Sequence, residues 1–92
     1  MTLPSTDTLN ILVLERTDPS VNMDRFYVLR LEASLFGDTS LVRQWGRRGT
    51  YGREVRSLYE CEADARETLE AWLNRKMRRG YRIRSFERSL PP

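Results

Sequence analysis

The segment LVRQWGRRGTYGREVRSLYE, from Leu41 to Glu60, reads as a β-hairpin. Its first part, LVRQWGRR, and its last part, REVRSLYE, both have the residue composition of strands. The glycine-flanked loop RGTYGR connects them and supplies the turn. The segment therefore predicts two neighbouring antiparallel strands.

Two further strands are predicted upstream of this hairpin. LNILVLER, from Leu9 to Arg16, is rich in aliphatic residues and ends at the turn sequence TDPS. RFYVLRLEASLF, from Arg25 to Phe36, is aromatic and β-branched, and the GDTS that follows it supplies another turn. Consecutive strands joined by short turns usually pair with one another, which predicts an antiparallel meander.

Downstream of the hairpin, the spacing of the apolar residues becomes that of an amphipathic helix beginning near Glu62. Acidic residues fill its first turns, basic residues fill its last turn, and Gly80 is placed for a left-handed C-cap. YRIRSF, residues 81–86, then alternates as a closing edge strand. The apolar stripe of the helix consists of Ala65, Leu69, Trp72, Leu73 and Met77.

These elements predict an α+β fold, a single small domain in which an antiparallel sheet of about four to five strands carries one amphipathic helix on one face. A chain of 92 residues buries only about 60 to 65% of its unfolded surface, so it supports one core. We expect a flexible leader at residues 1–8, the domain at 9–86 and a tail at 87–92.

Alternation along the third strand decides which residues the helix covers. Arg43, Trp45 and Arg47 should project from one face of the sheet, and Gly46 should lie on the other. A glycine inside a strand often marks the close approach of another backbone. We therefore expect the helix to pack over Gly46 and to leave the Trp45 face open.

The composition excludes several classes of function. The single cysteine, Cys61, rules out an intramolecular disulfide, and the absence of histidine removes Cys/His zinc sites, so we expect no metal and no cofactor. Cys61 directly precedes the helix, where an N-cap role fits better than a reactive thiol, and the sequence predicts no enzyme. No apolar run is long enough for a membrane span, which favours a cytoplasmic protein.

The basic residues are informative because fifteen of the sixteen are arginine and only Lys76 is lysine, at a net charge of +3. Guanidinium groups bind phosphate bidentately and stack on flat rings, although a GC-rich genome would also produce an arginine excess. Gly49 and Gly52 allow a tight loop that brings Arg47, Arg48 and Arg53 together. Such a cluster suits a phosphate.

Trp45 and Tyr51 offer flat faces beside these arginines, on which a base or sugar can stack. Two alternatives stay open at this stage. Trp45 can instead be a core anchor, and Arg47 can pair across strands with Glu54 or Glu32.

The run WGRRGTYGR resembles the signature of the WGR domain, which is found in poly(ADP-ribose) polymerases and in stand-alone bacterial proteins. Other family positions match in order: Asn22 with the following RFYVLRL, Gly52, Tyr59 before the helix, Ala65 within it, and KMRRGY at 76–81. The resemblance extends over about residues 9–81. It implies an antiparallel sheet with one helix against it, in agreement with the prediction from the residues.

In the polymerases the WGR domain binds DNA near a strand break and relays that contact to the catalytic region. The resemblance implies that Trp45 packs against a terminal sugar or base and that Arg47 makes a phosphate or interdomain contact. The loop chemistry adds Arg43, Arg48, Tyr51 and Arg53 to this candidate site.

The predicted function is a non-catalytic module that binds nucleic acid, DNA in preference to RNA, at duplex ends or breaks. The alternative is a protein–protein interaction or regulatory module that docks on a separate DNA-processing enzyme. Salt separates the two, because phosphate binding weakens steeply as salt rises and a packed protein interface does not.

Overall fold

A computed structural model of the chain describes residues 9–88. Five strands form one antiparallel sheet in the order β4-β3-β2-β1-β5, with a single helix beside it, which confirms the predicted α+β fold. In chain order the elements are β1 (Leu9–Asp18), a 3-10 turn (Pro19–Val21), β2 (Met23–Ala33), β3 (Thr39–Arg47), β4 (Arg53–Tyr59), α1 (Glu62–Arg78) and β5 (Arg82–Arg88).

The strand ends differ from the predicted ones by a few residues. β1 continues to Asp18, whose side chain accepts a hydrogen bond from the Ser20 amide and so caps the following 3-10 turn. β2 ends at Ala33, three residues earlier than predicted, because the next residues form the turn. β5 runs to Arg88, two residues beyond its predicted end. The predicted leader, 1–8, and residues 89–92 of the predicted tail lie outside the described residues.

The core lies between α1 and one face of the sheet. The predicted stripe is confirmed, since Ala65, Leu69 and Leu73 are fully buried while Trp72 and Met77 pack partly buried against the same cluster. The sheet contributes buried residues from its three central strands, which are Leu9, Leu12, Leu14, Tyr27, Leu29, Leu31 and Leu41. Within residues 9–88, no helix is both long and apolar enough to cross a bilayer.

The helix ends in the predicted left-handed cap. Gly80 has φ +94°, its amide donates to the Met77 carbonyl, and the Tyr81 amide donates to the Lys76 carbonyl. This pair of hydrogen bonds is the Schellman motif, which reverses the chain and starts β5. The last turn of α1 is thereby fixed beside the end of β1, where a Cβ on Gly80 would lie 3.3 Å from Arg16 Nε.

The predicted face of β3 is wrong. Trp45 is the register partner of Tyr27 and belongs to the face that α1 covers, together with Arg43 and the buried Leu41. The backbone that approaches Gly46 is the loop, since a Cβ on Gly46 would lie 2.8 Å from Gly52 Cα. Sequence could not decide this, because neither row of β3 is apolar throughout and the partner strands set which row is buried.

The sheet has two chemically different ends. Arg66 Nη1, near the start of α1, donates to the Leu9 carbonyl at the start of β1, whereas the last turn of α1 meets the end of β1. We call the end that holds Gly46 and the last turn of α1 the basic end. We call the end that holds the β2–β3 turn (Ser34–Asp38) and the first turn of α1 the acidic end. The two differ in charge because the helix is acidic at its start and basic at its close.

Candidate nucleic-acid interface

A stack of aromatic rings lies between β2, β3 and α1 near the basic end. The Tyr27 ring is central: it stacks on Trp45 at 5.7 Å between centroids and on Trp72 at 6.3 Å, and it meets Tyr81 edge-on at 6.2 Å. Tyr27 is 2% exposed, while Trp45 remains partly accessible. Trp45 is therefore both a packing residue and a surface residue, which joins the two alternatives that the sequence left open.

Arg43 completes this stack. Its guanidinium lies 4.1 Å from the centre of the Trp72 ring and 5.4 Å from the centre of the Trp45 ring, and its Nη1 donates to the Tyr27 hydroxyl at 3.1 Å. Burial raises the pKa of Tyr27, and the hydrogen bond from Arg43 opposes that rise. Arg43 thus holds the rings in register, and its charge has no carboxylate partner among residues 9–88.

Four more cations lie around the aromatic stack, and each of them also lacks a carboxylate partner among residues 9–88. No described carboxylate lies within ion-pair distance of any of them, although the described part of the chain holds seven ion-pair contacts elsewhere. Three belong to the end of α1 and one to the start of β2. We call them, with Arg43, the cationic cluster: Arg25, Arg43, Arg75, Lys76 and Arg79.

Lys76 lies among the other four cations of this cluster. Partial burial and then the charges of Arg79, Arg75, Arg43 and Arg25 lower the pKa of Lys76 below its usual range. Its Nζ lies 4.6 Å from the centre of the Tyr27 ring and 5.5 Å from that of Tyr81, so ring faces replace part of its solvent shell. The cluster repels itself in the free protein, and a bound anion would relieve that repulsion.

Helix capping does not account for so much positive charge. The macrodipole amounts to about half a negative charge at a helix C-terminus. The last turn and the C-cap of α1 carry four cations, Arg75, Lys76, Arg78 and Arg79, and Arg25 and Arg43 lie on strands. Most of the charge at the basic end is therefore in excess of what the helix needs.

Arg47 is exposed at the end of β3 and is already bound to the β1–β2 turn. Its Nη1 donates to the Asn22 carbonyl at 3.2 Å and its Nη2 to Asn22 Oδ1 at 3.4 Å. Neither Glu54 nor Glu32 pairs with it, since these carboxylates bind Arg30 and Arg56 instead. The contact with Asn22 orients the Arg47 guanidinium beside an open groove of about 320 Å³ that Arg25, Met23 and Val21 also line.

Arg48 turns away from the other predicted site residues. Its Nη1 lies 3.4 Å from carboxylate oxygens of both Glu15 and Asp24, and its amide donates to the Asp24 carbonyl. These partners hold Arg48 in ion pairs on its own protein. The structure therefore separates it from Trp45 and from the cationic cluster.

The glycine loop places the two remaining predicted residues. Tyr51 is 69% exposed, and its carbonyl accepts a hydrogen bond from Gln44 Nε2 at 2.8 Å. Arg53, the first residue of β4, is the register partner of Trp45 and is exposed without an ion-pair partner among residues 9–88. Both lie next to the strand that carries Trp45.

Sequence reasoning missed the helix cations as site residues because it assigned them to the macrodipole. The signal was nonetheless present: Trp72, Arg75, Lys76 and Arg79 are spaced at three and four residues, which puts them on one side of α1. Cys61 occupies the N-cap position with extended backbone, but its side chain makes no capping hydrogen bond, and only its carbonyl accepts one, from the Ala65 amide at 3.4 Å.

Comparison with known proteins places this chain in a family. The WGR domain family matches residues 11–88, nearly all of the described chain. An uncharacterised protein, y4dW, of Sinorhizobium fredii is 45% identical over 80 residues, which are 87% of this chain and 38% of the relative. The chain thus spans well under half the length of that relative. From the match over the whole sheet and helix, the chain belongs to the WGR domain family.

Proposed function

We propose that this chain is a non-catalytic module that binds nucleic acid at the basic end, DNA in preference to RNA, and that it recognises the end of a duplex or a strand break. Membership of the WGR domain family is consistent with nucleic-acid binding. The observation that carries the proposal is the cationic cluster: five cations without a carboxylate partner in residues 9–88, arranged around partly exposed indole rings.

A nucleic acid supplies both of the things that this surface lacks. Phosphates would neutralise the cluster and relieve the mutual repulsion of its cations, which adds to burial in lowering the pKa of Lys76. Sugars and bases would cover the accessible part of Trp45, at about 1 to 3 kcal/mol for each stacked base. Arg43 would take part through its charge while it keeps the rings in place.

The preference for an end follows from which surfaces a duplex exposes. Bases within a duplex are stacked on both sides, so a protein indole can pack on a base or on the open side of a sugar only at the last nucleotide. Trp45 lies near the end of β3, next to the glycine loop, where a duplex end can approach it without a groove-inserted element. Arg47 follows Trp45 on β3 and Arg53 is the register partner of Trp45 on β4, so both would contact the terminal phosphates.

The direct test is fluorescence anisotropy at two salt concentrations with three ligands: a duplex with 5′-phosphorylated ends, the same duplex closed by hairpins at both ends, and each single strand. We expect tight binding to the open duplex, weaker binding to the closed one, and a steep loss of affinity with salt. Each phosphate contact contributes about −0.9 to the log-log slope on duplex DNA. Equal binding to the open and closed duplexes would refute end recognition.

A matched pair of variants locates the site. Arg79→Ala removes a charge from the cationic cluster, and Arg84→Ala removes the same charge from β5, where Arg84 lies 3.9 Å from Glu15. We expect Arg79→Ala to lower affinity and to reduce the salt slope by about one unit, with Arg84→Ala close to the wild type. If the two variants behave alike, binding depends on net charge and the assigned site is wrong.

A further inference from the structure

The acidic end carries an exposed apolar pair that nothing in the nucleic-acid interface uses. Leu35 is 100% exposed and Phe36 is 91% exposed, and they are consecutive residues at the tip of the β2–β3 turn. Isolated exposed hydrophobic residues are ordinary, but two large ones side by side at a protruding tip form a contiguous apolar surface. We call this pair the apolar tip.

The turn that presents the apolar tip is hydrogen-bonded on both sides. The Ser34 amide donates to the Asp38 carbonyl at 2.8 Å, and the Phe36 amide donates to Ser34 Oγ at 3.1 Å. Gly37 adopts φ +90°, a backbone conformation that is unfavourable for residues with a side chain. The backbone of the pair is therefore held in one arrangement before any partner arrives, which lowers the backbone entropy lost on binding.

Acidic residues lie at the same end of the sheet as the turn. Asp38 precedes β3, and Glu60 follows β4 next to it, because Thr39 and Tyr59 are register partners. Glu62 and Asp64 fill the first turn of α1 at the same end, where Arg66 is paired with Glu62. This negative charge repels DNA and anionic membranes, so the molecule that binds the apolar tip has to belong to another class.

We propose that the apolar tip is a docking point for a protein partner, and that the partner offers a hydrophobic pocket bordered by lysine or arginine. Phe36 would be the anchor, since aromatic side chains that enter a pocket carry much of an interface's binding energy, and Leu35 would seal its edge. The acidic residues at this end would select and orient the partner by charge. Trp45 lies six residue positions along β3 from Thr39, about 20 Å of extended strand, so partner and nucleic acid would bind at opposite ends.

The test uses small folded domains with a randomised concave surface, displayed on phage, selected on the full chain and counter-selected on the double variant Leu35→Ser/Phe36→Ser. We expect the surviving domains to combine an aromatic or aliphatic pocket with Lys or Arg at its rim, and to bind the double variant about tenfold or more weakly in anisotropy measurements. Their affinity should also fall with salt and in Glu60→Gln. Survivors that are acidic, or the absence of any survivor, would overturn the proposal.

Two controls separate this proposal from others. The double variant should melt like the wild type, because neither side chain is buried, and should bind duplex DNA with unchanged affinity. Loss of DNA binding in it would place the apolar tip in the nucleic-acid site and overturn the separation of the two ends. Sedimentation equilibrium gives the remaining outcome: if the wild type self-associates and the double variant does not, the occupant is a second copy of this chain.

Discussion

The glycine loop packs closely against the strand that carries Trp45 at Gly52, where a single methyl group would prevent the approach. Gly52 has φ +75°, and a Cβ there would overlap the carbonyl oxygen of Trp45 and lie 3.0 Å from a ring carbon of Phe26. Gly49, in the same loop, has φ +88°, but a Cβ there would meet nothing within 4 Å. Alanine at the two positions therefore shares the backbone strain and differs in the overlap.

Left-handed backbone disfavours alanine by about 1 to 2 kcal/mol at either position. At Gly52 the overlap with backbone cannot be relieved by rotating a side chain, so the loop has to move off β3, and we expect a total of about 2 to 4 kcal/mol. For a domain of this size, 1 kcal/mol shifts the melting temperature by about 4 to 8 °C. Gly52→Ala should accordingly melt several degrees below Gly49→Ala.

The assay is thermal and urea unfolding of both variants and the wild type, followed by anisotropy with the open duplex at a temperature where all three are folded. We expect Gly52→Ala to lose affinity as well, because the loop also places Arg53 beside Trp45. Equal stability of Gly49→Ala and Gly52→Ala would show that the close contact with the Trp45 carbonyl is not a constraint, and the reasoning would fail.

Three more variants test other parts of the structure. Trp45→Ala should destabilise the fold by about 1 to 3 kcal/mol, which is less than the loss of a fully buried tryptophan would cost. It should also weaken DNA binding under conditions in which the protein is fully folded. An effect on stability alone would make Trp45 only a packing residue. Lys76→Met should raise the melting temperature and lower DNA affinity, because folding lowers the pKa of Lys76 and so makes its positive charge destabilising. Just below pH 10.5, the ordinary pKa of lysine, the unfolded chain binds more protons than the folded one. The gain in melting temperature should therefore shrink as pH approaches 10.5. Glu32→Gln should make unfolding less sensitive to acid, because the hydrogen bond from Arg56 lowers the pKa of Glu32 below its ordinary 4.5. The Glu32 carboxylate stabilises the fold fully above pH 4.5, and this stabilisation is lost as pH falls through the lowered pKa. Urea titrations between about pH 5 and pH 3 would detect the difference.

Local patterns in the sequence determined the elements and their order. Alternation and turn residues located the strands of the meander, and the apolar stripe with Gly80 located α1 and its cap. They succeed because hydrophobic period and turn chemistry act over a few residues. The family signature is likewise a property of the linear sequence, and residues 11–88 match the family.

Tertiary structure alone decided which residues meet. Pairing with β2 put Trp45 and Arg43 under the helix, against the prediction, because burial of a strand's face depends on the strands beside it. The fold also joined Arg25 and Arg43 to Arg75, Lys76 and Arg79, which lie far away in sequence, and it drew Arg48 off to Glu15 and Asp24. The sequence shows which residues are charged. Whether a charge is available for a ligand or is neutralised by an ion pair within the protein depends on the distances that folding sets between it and its neighbours.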